Sequence, residues 1–410
     1  MTPLPPLTET FALYRPRPRH PDWGALAAEA RAIAAEVGPG LEPPRAGRAE
    51  RRRRRRGQLT ALRNYLRNRR LERRGRHDLR PLYFIWTLLR TCNFDCTYCD
   101  DHRGAKYPAL PTEGTLDTAG ARRLLEIMRT GTSSVYFAGG EPTLRKDLPL
   151  LTRAARDLDY YPIIINTNGS TVDRRLRDPA WRTWLADTDV IVVSLDGLEV
   201  SALRQMWSYK RAHEVLRNLL VLRELARAQR FKLMVNCVIQ PGQLDHARDV
   251  LDLANDLGIW FCPVPVNVGP SVHAGLAADP AYDALVELIL ARKRAGYRIT
   301  GSLRMNQRLL RSAPLDCRNT LKPHVDADGA LLWPCKAAIA VPPARIDVLD
   351  FADVDALYAH ARRAIDPDRF QDRCGARCNW AQNYSTDAYV DGLRHPTRLL
   401  ADVGELLRGT

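Results

Sequence analysis

From Pro81 onward, strand-like and helix-like runs alternate six times, and few folds accommodate such a pattern. "LYFIWTLL" precedes "DTAGARRLLEIMRT", "SVYFAGG" precedes "LPLLTRAARDLD", and "YPIIINTNG" precedes "DPAWRTWLAD". Then "DVIVVSLDG" precedes "YKRAHEVLRNLLVLRELARAQ", "FKLMVNCVIQ" precedes "LDHARDVLDLANDLG", and "IWFCPVPVNVG" precedes "PAYDALVELILARKRAG". Apolar strands bounded by Gly and Asn and joined by amphipathic helices predict a parallel sheet covered by helices. Eight such units would close a barrel; six leave it open. The fold class expected is therefore α/β, a partial (β/α)6 TIM-like barrel over residues 81–300. The full 410 residues exceed one ordinary core. Residues 1–80 are read as an Arg-rich helical N-terminal extension. Residues 301–410, where the alternation dissolves into a Pro-containing tail with cysteines, are read as a small C-terminal domain.

Charge is concentrated at one end. Residues 1–80 hold 20 Arg against 8 Asp and Glu, a balance of +12, so the other 330 residues carry only +3 of the total +15. A short helix is expected in "PDWGALAAEARAIAAEVG", ended by Gly38. A basic helix then starts at the arginine block 51–56 and runs to about residue 78, with Leu59, Leu62, Leu66 and Leu71 spaced for one face. Two readings of this helix stand side by side: a surface for nucleic acid or anionic membrane, and a solvated extension packed lightly on the barrel. Tyr65 alone interleaves the arginines, whereas stacking platforms want more aromatics, so nucleic acid is not the partner expected. The longest apolar runs are about nine residues, short of the roughly 20 a spanning helix needs, and the N-terminus lacks a signal-peptide pattern. A cytoplasmic protein without a transmembrane segment is expected, and nine cysteines in such a chain suit metal or redox use better than a disulfide scaffold.

Three of those cysteines fall in "TCNFDCTYCD". Cys92, Cys96 and Cys99 lie just past the first expected strand, where parallel α/β folds place their chemistry. Structural zinc wants four ligands. An iron–sulfur cluster on three protein thiolates leaves one iron open, useful only if a substrate or cofactor fills it.

The run "CNFDCTYC" resembles the C-x3-C-x2-C signature of the radical S-adenosylmethionine (SAM) superfamily, with Tyr98 as the aromatic before the last Cys. "FAGGEP" at the second strand end resembles that family's Gly-Gly-Glu motif, and "INTNG" and "VSLDG" follow at the third and fourth strand ends. The resemblance covers about residues 82–300. It implies a 4Fe–4S cluster on Cys92, Cys96 and Cys99, whose open iron chelates the methionine amine and carboxylate of SAM. It implies that Gly139, Gly140 and Glu141 bind the methionine amine, and that Tyr98, Asn166, Ser194 and Asp196 make further cofactor contacts; Asn166, Thr167 and Asn168 read equally as substrate-facing or as capping residues. One-electron cleavage of SAM would then give a 5′-deoxyadenosyl radical, with a flavodoxin or ferredoxin as electron donor. Ser194 and Asp196 also fit a helix-capping turn.

A second set, Cys317, Cys335, Cys374 and Cys378, lies in the tail. "CRNTLKPHVDADGALLWPC" reads as two short strands around an Asp-Gly turn that brings its two cysteines together, and "CGARC" adds two more thiolates. Four thiolates suit a zinc site or a closed cluster. The arrangement resembles the SPASM and twitch extensions of the same superfamily and implies a second, auxiliary 4Fe–4S cluster. It departs from their pattern: five residues separate Gly329 from Cys335, and the last pair is C-x3-C. Cys237 and Cys262 read as small core residues, Cys262 with the option of lining a cavity. Among the histidines, His102 follows the cysteine loop, and His273 is a weak candidate general base.

An auxiliary cluster ligated by four thiolates suits electron transfer, so the function expected is a radical SAM oxidoreductase. It would abstract a substrate hydrogen and oxidise the substrate radical through that cluster, in the manner of a dehydrogenase. A small-molecule substrate is preferred, because residues 1–80 lack the strand pair of a peptide-recognition domain. The alternatives are a peptide maturase forming a cross-link or epimer, a redox-neutral epimerase or adenosyl transferase, and, outside enzymes, a basic nucleic-acid-binding module with structural metal.

Overall fold

The computed structural model describes residues 20–99, 114–269, 271–337, 342–374 and 378–408, with the side chains of 371–374 and 406–408 left out. Six strands, β1 (Phe84–Thr87), β2 (Val135–Ala138), β3 (Ile163–Thr167), β4 (Val190–Ser194), β5 (Lys232–Ile239) and β6 (Trp260–Pro265), pair in parallel in chain order. The open (β/α)6 barrel expected from the alternation is the barrel observed.

Side chains on successive residues leave opposite faces of each strand. Phe84, Trp86, Val135, Phe137, Ile163, Ile165, Ile191 and Val193 lie on the helix-covered face and are fully buried. Tyr136, Ala138, Ile164, Asn166, Ser194, Met234 and Asn236 take the other face and are only half buried. The covering helices form for local reasons. Helix Thr118–Arg129 starts where Asp117 Oδ1 accepts the Gly120 N–H at 2.7 Å, and it buries Ala121, Leu124, Leu125 and Met128 at helical spacing.

Both extensions share the barrel's core. Helix Trp23–Val37 buries Trp23, Leu26, Ala30 and Ile33 in the same apolar cluster as Phe84 and Trp86. A two-stranded hairpin, β7 (Asn267–Val268) and β8 (Ser271–Val272), follows β6. Then β9 (His324–Val325) pairs in parallel with β1, setting His324 beside Ile85, and β10 (Ala330–Trp333) and β11 (Ala344–Asp347) add antiparallel strands. The sheet order is thus β11-β10-β9-β1-β2-β3-β4-β5-β6. The turn at Asp328–Gly329, with Gly329 at φ 88°, is the hairpin legible in "DADG". Its partner across the sheet was not legible: Val325, Leu331 and Trp333 join the barrel core and do not form one of their own.

The arginine helix, Gly47–Glu72, crosses the barrel at the starts of the strands, opposite the motif-bearing ends. Asn64 Nδ2 donates to Gly131 O at 2.8 Å ahead of β2, and Asn68 Oδ1 accepts the Arg80 N–H at 2.6 Å ahead of β1. Gly57 lets the helix approach Tyr161, where a Cβ would stand 3.2 Å from the Tyr161 Cβ. The leucine face points outward: Leu59, Leu62 and Leu66 are 56%, 54% and 51% exposed, while Glu50, Arg53 and Asn68 are buried. The helix docks by hydrogen bonds and ion pairs along most of its length, and by Tyr65 and Leu71 against Leu79, Leu321 and Val390 near its end. Neither packing lightly nor projecting freely describes it. No helix among the described residues is long and apolar enough to cross a membrane.

Candidate active site

The cysteine loop leaves β1 and is stitched to four neighbouring strand ends. On one side, Gly140 N donates to Leu89 O at 2.8 Å and Glu141 N to Thr91 O at 2.9 Å. The two backbones run so close that a Cβ on Gly139 would lie 2.5 Å from Leu89 O, and one on Gly140 2.1 Å from Thr91 O. The glycines therefore permit contact with the chain's own cysteine loop. On the other side, Asp95 N donates to Trp207 O at 2.9 Å and Thr97 N to Met206 O at 3.0 Å, at the end of helix Val200–Trp207. Phe94 stacks on Trp207 and Tyr209, with ring centroids 5.2 and 4.4 Å away. Trp207 and Tyr209 thus support the loop. From below, Arg90 forms a bidentate pair with Asp326 of the β9–β10 turn, which Arg345 also contacts at 2.8 Å.

Two buried carboxylates lock this arrangement, and each differs from its expected role. Glu141 Oε1 accepts from Thr143 N, Thr143 Oγ1 and Thr167 Oγ1 at 2.9, 2.5 and 2.7 Å, and Oε2 accepts from Asn168 N at 2.6 Å. Its side chain has no exposed surface. A ligand amine cannot reach it; the carboxylate instead ties the end of β2 to the end of β3. Burial raises its pKa, the four hydrogen bonds opposing. Asp196 is likewise buried. Its Oδ2 accepts from Trp207 Nε1 at 2.8 Å and from the Tyr98 hydroxyl, and its Oδ1 accepts from Val238 N at 2.8 Å. So Tyr98 and Asp196 together fasten the third cysteine's neighbour to β4 and β5. Burial pushes both their pKa values upward.

Other residues place polar groups on the inner face. Asn166 Oδ1 is buried with no hydrogen-bond partner among the described residues. Ser194 lies one strand over, in register with Asn236 of β5. Asn168 is spent: its Nδ2 donates to Asn93 Oδ1 at 2.9 Å and reaches Cys92 Sγ at 3.9 Å, while its Oδ1 accepts from Ser170. His273 caps the short helix Ala274–Ala277 through Nδ1, which accepts the Gly275 N–H at 3.1 Å. That bond takes the lone pair a base would use, so the structure gives His273 a capping role.

Cys92, Cys96 and Cys99 all lie partly exposed on the loop. Phe94 N donates to Cys92 Sγ at 3.4 Å and Cys99 N to Cys96 O at 3.1 Å. Burial pushes the Cys92 thiol up to about 11 and the Cys96 thiol higher. No three His, Cys, Asp or Glu side chains among the described residues converge closely enough for a single metal ion. A cluster spreads its irons over separate corners and accepts ligands farther apart. His102 lies outside the described residues.

In the tail, Asn383 Nδ2 donates to Cys317 Sγ at 3.3 Å, and its side chain also bonds to Cys378. Cys335 is buried against Phe370 and Trp380. Cys374 ends helix Pro367–Cys374, and its side chain lies outside the described part. Cys237 is fully buried in the core, whereas Cys262 lies on the inner face opposite Asn236. Sequence reasoning missed three inner-face neighbours: Tyr83 stacks on Tyr136 at 6.0 Å, and Lys322 Nζ sits 5.4 Å from the Tyr83 ring. His324 is buried, its Nε2 lacks a partner among the described residues, and burial holds its pKa well below the usual range. Lys and His after a presumed loop carry no motif; only the β9–β1 pairing brings them inside.

The sequence comparison identifies the domain that this site belongs to. A model of the radical SAM superfamily matches residues 86–254. These residues form a radical SAM domain. Over 30% of its length the chain is 33% identical to Fe-coproporphyrin III synthase of Methanosarcina barkeri, covering 28% of that protein. Over 43% it is 28% identical to PqqA peptide cyclase of Bradyrhizobium diazoefficiens, covering 44% of that protein. The chain thus spans less than half the length of these curated relatives. Among solved structures, Streptococcus suis SuiB bound to precursor peptide SuiA superposes with a TM-score of 0.54 at 17% identity, over 80% of this chain and 75% of that one. The radical SAM family uses a 4Fe–4S cluster and SAM. The residues present fit both. Three sulfurs share one loop at the strand ends, and the unpartnered Asn166 Oδ1 and the Ser194 hydroxyl offer polar contacts beside it.

Proposed function

We propose that this radical SAM enzyme removes hydrogen from a small molecule or peptide and passes the second electron to an auxiliary 4Fe–4S cluster in its tail. The observation that carries this reading is that one continuous sheet bears two thiol sets, one at each end of its strands, because β10 runs antiparallel to β9 and β1. Cys92, Cys96 and Cys99 follow β1, and Cys335 follows β10, two strands away. When bound, the first cluster and SAM supply a reductive carbon–sulfur cleavage and a hydrogen-abstracting deoxyadenosyl group. The chain's own residues then have defined tasks. Cys92, Cys96 and Cys99 hold the cluster, Gly139 and Gly140 keep their loop in place, and Asn166 and Ser194 orient SAM. In balance, one electron from an external donor would cleave SAM to methionine and the deoxyadenosyl group; a substrate C–H bond would break with its hydrogen leaving in 5′-deoxyadenosine, a proton would be lost, and one electron would go to the second cluster. Cys317, Cys335, Cys374 and Cys378 would ligate it. The peptide and nucleotide substrates named for relatives keep both substrate classes within this proposal.

Dithionite-reduced protein incubated with SAM is expected to release 5′-deoxyadenosine and methionine without substrate. A Cys317→Ala/Cys335→Ala variant should retain that cleavage and lose about half its iron. Full iron in the variant would remove the auxiliary cluster, and with it the oxidative reading.

A further inference from the structure

We propose a second binding site, for a small anion bearing two or more phosphate groups, at the end of the barrel opposite the cysteine loop. A cavity of about 860 Å³ opens there between the arginine helix and the starts of β4, β5 and β6. Its wall carries Arg51, Arg227, Arg230, Lys232 and Arg298. None of these five has a carboxylate partner among the described residues. The two carboxylates on the wall are already engaged. Glu50 receives Arg53 and Arg54 at 2.9 and 2.7 Å, and Asp189 receives Arg53 at 2.6 Å.

Five cations without a carboxylate partner make this concave wall strongly positive, a field that a bound anion would neutralise. Lys232 shows this most directly. Its Nζ lies 3.3 Å from the centre of the Trp260 ring, on a strand, with burial and the positive Lys293 and Arg298 lowering its pKa to about 8. An anion between Lys232, Arg227 and Arg230 would reverse both effects. Helix C-termini attract cations without any ligand, and this accounts for Arg227 and Arg230, in the last turn and at the cap of helix Ala212–Gln229, and for Arg298, which donates to Gly258 O. It does not account for Lys232 on β5 or Arg51 on another helix. Cations already lie over the two aromatic rings of the wall, Lys232 over Trp260 and Arg53 and Arg54 over Tyr161. The phosphates are what the charged wall recognises, since guanidinium groups match their geometry.

The test is calorimetric titration of the full chain with tripolyphosphate and with ATP, in the absence and presence of SAM. Both probes are expected to bind, and Arg227→Glu/Arg230→Glu is expected to weaken each at least about tenfold. Both substitutions are at exposed positions, and Lys232→Met provides an independent second variant with the same expected loss. A Cys92/Cys96/Cys99→Ala variant should bind both probes as the wild type does. ATP much tighter than tripolyphosphate would assign the phosphates to a nucleotide; equal affinity would assign a simple polyphosphate. Absence of binding, equal binding by the charge-reversed variant, or displacement by SAM would overturn the proposal.

Discussion

Gly140→Ala is expected to abolish loading of the cysteine-loop cluster, about half the iron, together with SAM cleavage, and to lower stability by about 3 kcal/mol. A methyl group there would stand 2.1 Å from Thr91 O, 2.4 Å from Thr91 C and 2.8 Å from Arg90 O. All three are backbone atoms, so no side chain can swing aside. The loop must move, and the hydrogen bonds from Gly140 N to Leu89 O and from Glu141 N to Thr91 O open with it. Because those bonds position the residues just ahead of Cys92, loss of geometry follows directly from loss of fit. Gly38→Ala is the control, since a Cβ there meets nothing within 4 Å. Denaturant midpoints and iron content of both variants check the account. A Gly140→Ala protein with wild-type iron would contradict it.

Arg53→Met is expected to cost about 3–5 kcal/mol, the range for breaking a buried ion pair from one side. Arg53 is 3% exposed. It donates to Glu50 at 2.9 and 3.0 Å, to Asp189 at 2.6 and 3.0 Å, and to Tyr160 O. Asp189 in turn accepts the Ile163 N–H at 2.8 Å, so the network reaches β3 itself. Burial alone would raise the Glu50 pKa, but hydrogen bonds from Arg53 and Arg54 and the charge of Arg156 outweigh it and hold the carboxyl at about 2. A carboxyl depressed in the folded state contributes stability above its unfolded value of 4.5, and that contribution is lost as pH falls from there towards 2. In the variant the Glu50 pKa rises, so part of this acid-sensitive stability is already missing at neutral pH. Urea titrations at pH 7 and pH 4 check both points. Arg55→Met, at an exposed position on the same helix, should change stability by less than about 0.5 kcal/mol.

What could be read from the sequence followed from locality. Six apolar strands and the helices between them are short-range patterns, and all six strands stand in chain order. The cysteine loop and "FAGGEP" were legible because each is contiguous. Roles that depend on distant partners were not. Glu141 looked like a ligand because its donors at Thr167 and Asn168 are on the next strand. Asp196 looked like a cofactor contact or a cap, yet its partner Tyr98 lies 98 residues away in sequence. The arginine helix misled for the same reason. Its leucine spacing signalled a packing face, whereas Asp189, 136 residues on, determines which face is buried. The joining of β9 to β1 likewise spans more than 230 residues and leaves no local mark.

Iron and sulfide content with electron paramagnetic resonance, on anaerobically reconstituted wild type and a Cys92/Cys96/Cys99→Ala variant, tests the assignment of the active site most directly. About eight irons in the wild type and about four in the variant are predicted, with the variant's remaining signal unaffected by SAM. A variant that keeps all of its iron, or whose spectrum still responds to SAM, would contradict the placement of the reactive cluster on this loop.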